Sequence, residues 1–280
     1  NGIMFGKRVA CSINPSLELE NEDTITEANQ KKNVLVIGGG PAGMEAAYVA
    51  KKRGHHVVLC EAENDLGGQL NIAAVPIAKQ DLTKVTQYMR RKLQHAGVEI
   101  RLSTPVTKEM LENEFAGYEV IAGTGAKPII INAFTGFKQW MSADDILAGK
   151  AVSGRKVVII GGGSVGCETA DYLAPLVNDR FPRNKAITIL EMADEIIMNE
   201  SGPGRSLLVQ RMMSKGVEVV CKAKVTKVDE TNIWYEKDGQ EHCICDADTL
   251  VFAAGYRIDP AMENMLEEAN RSEERRVGKE

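Results

Sequence analysis

At 280 residues the chain exceeds the usual single-domain size, so two domains are the default expectation. Hydrophobic residues make up 44% and charged residues 26%, the balance of an ordinary soluble globular protein. A net charge of −5 argues against nucleic acid or an anionic membrane surface as partner, and no apolar run nears the roughly 20 residues that span a bilayer.

No signal peptide opens the chain, so the expected location is the cytoplasm. The chain starts at Asn1 without a methionine, the expectation being a fragment or a processed product. Six cysteines, Cys11, Cys60, Cys167, Cys221, Cys243 and Cys245, are expected to stay reduced there. None form a C-x-x-C pair, which removes the zinc ribbon and the thioredoxin-like redox pair. Cys243 and Cys245 lie one residue apart on an expected strand and point to one face, a pattern that arises more often from packing than from metal binding.

Residues 1–30 have no clear period, and 18–30 are polar and acidic, so they read as a linker arm. From Lys31 the order is strand, glycine loop, helix, strand, acid. The run Val34 to Ile37 leads into GGGPAG at 38–43. Gly38, Gly40 and Gly43 have the spacing of a dinucleotide fingerprint, flanking Pro41 and Ala42. The first glycine permits the tight turn, the second lets backbone approach a pyrophosphate, and the third brings the helix close to the strand. Phosphate then lies on the N-terminus of a helix over 44–50. The next strand, His56 to Cys60, ends in Glu61, about 20 residues on, where a ribose-binding acid belongs.

Gly67 and Gly68, before Gln69, again let backbone come close to a ligand. Apolar residues at 82, 85, 89 and 93 predict a helix over 81–95, stopped by Gly97. Strands are expected over 98–102 and 118–123, the latter closed by Thr124 and Gly125, and a short helix over 144–148.

At Lys156 the opening pattern returns. A strand over 157–160 precedes GGGSVG at 161–166, with Gly161, Gly163, Ser164 and Gly166 at the earlier positions. A helix over 167–173, a longer loop over 175–185 and a strand over 186–190 ending in Glu191 complete the repeat. The loop places this acid further from its glycines than in the first unit. Two dinucleotide units in tandem imply two bound cofactors. A helix over 206–215, a strand over 217–221, a hairpin at Asp238-Gly239 and a strand over 249–254 reaching Gly255 follow.

With these residues in view, the chain resembles the two-dinucleotide flavoprotein reductases. More narrowly, it resembles the C-terminal part of the 2,4-dienoyl-CoA reductase and 2-enoate reductase family, the old-yellow-enzyme-like NADH:flavin oxidoreductases. General marks are GGGPAG, Glu61, Thr124-Gly125, GGGSVG and Ala254-Gly255. Narrower marks are the stretches 66–73, 142–147 and 166–170, and above all Gly6 to Pro15.

The resemblance implies an α/β fold of two Rossmann-like dinucleotide-binding domains, three-layered around central parallel sheets. It implies FAD on residues 31–130, with 256–270 returning to that domain, and a nicotinamide domain inserted over 131–255. FAD is then held by the Gly38 loop, Glu61, Gly68 and Gln69, and the nicotinamide nucleotide by the Gly161 loop and Glu191. A carboxylate at Glu191 favours NADH over NADPH, because it repels a 2′-phosphate.

The resemblance further implies that Cys11 is the last of four ligands to a [4Fe–4S] cluster lying between FAD and the FMN of an N-terminal barrel. Electrons then pass from NADH through FAD, cluster and FMN to a small-molecule alkene. That barrel is the expected partner. Oligomeric state stays open, a homo-oligomer included. A Gly-Asp pair that contacts the flavin in this class is not found after Asn270, and residues 271–280 match the translation of a common sequencing adapter. Read-through is the expectation there. A stand-alone reductase of a ferredoxin-like partner and a non-catalytic nucleotide-binding subunit remain the alternatives. A disulfide reductase lacks a suitably spaced cysteine pair.

Overall fold

The computed structural model describes residues 11, 17, 25–174, 185–198 and 203–269. The expected loop over 175–185 and the tail 271–280 lie outside them, save Lys185. The chain divides into two compact units. Of the described residues, one unit comprises those up to Ala74, Lys79–Gly125 and those from Ile258 on; the other comprises Val75–Ala78 and those between Ala126 and Arg257.

The first unit opens with β1 (Asn33–Ile37), α1 (Pro41–Lys52) and β2 (His56–Cys60). It continues through α2 (Gln69–Ala73), α3 (Thr83–Ala96), β3 (Glu99–Arg101), α4 (Lys108–Glu112) and β4 (Glu119–Ala122). The four strands form one parallel sheet in the order β3-β2-β1-β4. Their runs of Val, Ile and Leu are buried on both faces, as in a parallel sheet covered on each side. Alternate residues Val34, Val36, Val57 and Leu59 meet Met44 and Ala47 of α1 and Leu93 of α3. Leu35, Ile37, Val58 and Cys60 meet Leu111, Phe115 and Leu266 on the other face. Helix, sheet and helix make three layers.

The second unit contains β5 (Lys127–Pro128), β6 (Trp140–Ser142), α5 (Ala143–Leu147), β7 (Lys156–Ile160), α6 (Ser164–Leu173) and β8 (Ala186–Leu190). Then come α7 (Pro203–Ser214), β9 (Glu218–Val220), β10 (Lys224–Val228), β11 (Ile233–Lys237), β12 (Gln240–Ile244), β13 (Thr249–Phe252) and β14 (Tyr256–Arg257). A last helix, α8 (Ala261–Glu268), falls in the first unit and supplies Leu266 to its core. The parallel sheet here runs β6-β13-β7-β8-β9. Val157, Ile159 and Ile189 face α5, α6 and α7 through Ile146, Ala170 and Met212. Val158, Ile160 and Leu250 face the antiparallel sheet β10-β11-β12 through Ile233. The α/β fold with central parallel sheets agrees with the reading of the sequence.

Several boundaries differ, for local reasons. The first helix begins at Pro41, because proline fits a first turn whose N–H has no intrahelical partner. The helix expected from 167 begins at Ser164, directly after Gly163, and α7 likewise starts at Pro203. The helix expected from 81 is preceded by a 3₁₀ segment, Ile77–Leu82. The helix expected over 144–148 starts one residue earlier, where Ser142 and Asp145 cap each other reciprocally. The Asp238-Gly239 hairpin turn forms as expected, with φ of 52° and 75°.

Candidate functional site

Each glycine loop leaves the C-terminal end of its central strand, and the two are built alike. Gly38 has φ of 103° and Gly161 of 107°, a region that L side chains rarely adopt. A Cβ on Gly38 would lie 2.5 Å from the Gly123 carbonyl oxygen, and one on Gly161 would collide with that of Ala253. The third glycines are also closed in by protein. A Cβ on Gly43 would run into the Gly38 carbonyl oxygen, and one on Gly166 into that of Gly161.

The second glycines behave differently. Gly40 has φ of −70° and ψ of 178°, and Gly163 φ of −69° and ψ of −177°, extended backbone open to any residue. A Cβ on either would meet nothing within 4 Å. Each is the N-cap of its helix, and no side chain caps α1 or α6. Pro41 and Ser164 are the first residues of those helices, so the open space over Gly40 and Gly163 adjoins helix N-termini, where an anion is favoured.

Glu61 and Glu191 do more than end a strand. One carboxylate oxygen of Glu61 accepts the Gly39 N–H at 2.5 Å and the other accepts the Glu63 N–H at 2.8 Å. Glu191 does the same to Gly162 at 2.5 Å and Ala193 at 2.8 Å. Each acid thus ties its glycine loop to the turn beyond the strand. A carboxylate has about four acceptor positions, so lone pairs remain for ribose hydroxyls. Sequence reasoning missed this loop-tying use; the signal available was the recurrence of the acid after both loops.

The other expected residues fall around these loops. Gly67 and Gly68, with φ of 123° and 51°, fold back so that the Gly67 N–H donates to the Gly39 carbonyl at 2.9 Å. Gly68 is the N-cap of α2, and Gln69 its exposed first residue. Thr124 and Gly125 are exposed and follow Gly123, whose N–H donates to the Ile37 carbonyl at 2.8 Å beside Gly38. Ala42 lies half-buried in the first turn of α1.

In the second unit, Gly255 has φ of 98° and accepts from the Ile129 N–H at 2.9 Å. Next to it, the Tyr256 hydroxyl donates to Asp144 Oδ1 at 2.5 Å. Burial, followed by that hydrogen bond, raises the Tyr256 hydroxyl above its ordinary range. Burial also raises Asp144, against the lowering effect of the hydrogen bond. This pair spans 112 residues of sequence and left no local signal.

Cys11 is half-buried. Among the described residues no group of three or more His, Cys, Asp or Glu is placed to hold a metal ion, and a [4Fe–4S] cluster takes four thiolates. The described residues therefore do not make a cluster site. No described helix is long and apolar enough to cross a membrane.

Two glycine-loop units, each a β-Gly-α-β-acid arrangement on a parallel sheet, define an oxidoreductase of the two-dinucleotide flavoprotein class. The chain belongs to the pyridine nucleotide-disulphide oxidoreductase family, whose profile matches residues 32–276. Membership implies FAD and a nicotinamide nucleotide as cofactors.

The chain is 36% identical over 252 residues to a cinnamate reductase of Clostridium sporogenes, a match covering 89% of this chain and 36% of that protein. It is 35% identical over 232 residues to an NADH oxidase of Thermoanaerobacter brockii, covering 79% and 34%. A solved 2-naphthoyl-CoA reductase complex superposes with a TM-score of 0.85 at 25% identity, covering 99% of this chain and 41% of that one. The chain thus spans well under half the length of these relatives.

Proposed function

We propose that this chain carries reducing equivalents from NADH to FAD within a larger alkene reductase. In this reading residues 31–130, with 256–270, bind FAD through the Gly38 loop, Glu61, Gly68, Gln69, Thr124 and Gly125. Residues 131–255 bind NADH through the Gly161 loop, Ser164, Glu191 and Gly255. When bound, FAD would supply a ring able to accept hydride, and in the complete protein a [4Fe–4S] cluster that includes Cys11 and an FMN would supply one-electron chemistry toward the alkene.

The observation that carries the reading is the open second glycine of each loop. Neither backbone conformation nor protein packing calls for glycine at 40 or 163, so a ligand that approaches the backbone does. Around it the chain's residues bind and orient. The uncapped starts of α1 and α6 receive phosphate, and the remaining lone pairs of Glu61 and Glu191 receive ribose hydroxyls. The relatives support donor and acceptor by name: one is an NADH oxidase, and another acts on cinnamate, whose carbon–carbon double bond is conjugated to a carboxylate.

The test is anaerobic addition of NADH to the FAD-loaded chain. The expected result is loss of the oxidised-flavin absorption. A flavin that stays oxidised with NADH yet is bleached by dithionite overturns the proposal. Donor choice is tested by Glu191→Gln. The ratio of kcat/KM for NADH over NADPH, read with an artificial acceptor, falls by about tenfold, or ~1.4 kcal/mol. Loosening of the loop, from loss of one N–H acceptor, affects both nucleotides alike and cancels in the ratio.

A further inference from the structure

The strands β11 and β12 pair with Trp234 opposite Cys243 and Ile233 opposite Ile244. Ile233 is buried and Ile244 packs with it against the core, so the two-residue alternation of the strand turns Cys243 outward. The edge strand β12 ends at Ile244, and Cys245 follows on the same outward side. Both thiols are exposed, with their Sγ atoms 3.2 Å apart.

The backbone around the pair is pinned. Lys156 Nζ donates to the Cys245 carbonyl at 2.5 Å. Asp246 then takes a left-handed φ of 53° and donates its N–H to Asn232 Oδ1 at 3.1 Å. The Ala247 N–H donates to the Thr231 carbonyl at 2.8 Å.

We infer that Cys243 and Cys245 form a chelating dithiol site for trivalent organoarsenicals, set by two outward sulfurs 3.2 Å apart on a pinned strand end. An atom about 2.3 Å from each sulfur, a usual metal–thiolate length, would subtend an angle of about 90° across that gap. That is the angle of a three-coordinate pyramidal centre. Tetrahedral zinc needs a wider angle and four ligands, and no group of three or more His, Cys, Asp or Glu stands ready among the described residues. A direct disulfide near 2.05 Å requires the sulfurs to close by about 1.1 Å against the pinned backbone.

The reaction is a condensation. Two S–H bonds and the arsenic–oxygen double bond break, two As–S bonds form, and oxygen leaves as water with both thiol protons. Arsenic stays trivalent, so no oxidant is consumed. Desolvation and the hydrogen bond with Cys245 push the Cys243 thiol up to about 11.

The test treats the full chain with phenylarsine oxide in excess 2-mercaptoethanol, followed by intact mass measurement and peptide mapping. The expected result is one adduct, with the mass of phenylarsine oxide less one water, located on the peptide holding Cys243 and Cys245 and released by dithiothreitol. Cys243→Ser and Cys245→Ser each raise the half-saturating concentration by about 100-fold or more, because the second As–S bond forms at high effective concentration. Cys221→Ser does not. Absence of a monothiol-resistant adduct on the parent chain, mapping to other cysteines, or an adduct unchanged in both serine variants overturns the inference. The mapping arm needs no variant to fold.

Discussion

Gly40→Val and Gly163→Val fold like the parent chain and lose nucleotide binding. The first abolishes FAD retention and leaves NADH affinity in place; the second weakens NADH on the order of 100-fold, ~2.8 kcal/mol. At both positions the backbone is ordinary for valine and a Cβ meets nothing within 4 Å. The change costs the helix cap up to about 1 kcal/mol, while the side chain fills the open space that the proposed phosphate would take.

The neighbouring glycines give the opposite outcome. Gly43→Ala and Gly166→Ala drive a methyl group into the Gly38 and Gly161 carbonyl oxygens. They lower stability by ~1–3 kcal/mol, although alanine in a helix ordinarily gains about 1 kcal/mol over glycine. Fluorescence titration with FAD and NADH, beside urea unfolding of each variant, separates the two classes. A Gly163→Val chain that binds NADH like the parent removes the phosphate reading of that loop.

Asp171→Ala destabilises the second unit by ~3–5 kcal/mol, the range for breaking a buried ion pair. Asp171 sits in α6 with a side chain 3% exposed. Lys215 Nζ lies 2.9 Å from its Oδ1, and Arg211 lies 2.8 Å from its Oδ2. The lysine also donates to the Asp171 backbone carbonyl at 2.7 Å, which clamps the end of α7 against α6. Burial alone would raise the Asp171 carboxyl, but hydrogen bonds from Arg211 and Lys215 hold it below the usual carboxylate range.

A folded-state pKa below the unfolded value gives stability that is present above about 3.9 and is lost as pH falls through the folded pKa. The stability gap between parent and Asp171→Ala therefore narrows in acid. The double change Asp171→Leu with Lys215→Met regains part of the loss, because the buried ammonium is removed together with its carboxylate, while the half-buried Arg211 keeps access to water. Urea midpoints across pH measure both effects. A gap independent of pH, or a double variant no better than the single one, contradicts this account.

The sequence by itself determined the repeated strand, glycine loop, helix, strand and acid. These signals are local: glycine spacing sets a turn, and runs of Val, Ile and Leu can be satisfied only by a sheet covered on both faces. The same locality explains the small errors. Helices begin earlier than their apolar periodicity, at Pro41, Ser164 and Pro203, since proline and a glycine N-cap start a helix before any core residue is needed.

Tertiary structure alone decided what covers each sheet. In the second unit one face of the parallel sheet is covered by the antiparallel sheet β10-β11-β12. It also decided that Glu61 and Glu191 tie their glycine loops, that Asp144 meets Tyr256, and that Asp171 is clamped by Arg211 and Lys215. Each of these joins residues distant in sequence. A charge or a hydroxyl acquires a definite partner only when folding removes water and brings the second group within about 3 Å, and no spacing in the chain encodes that meeting.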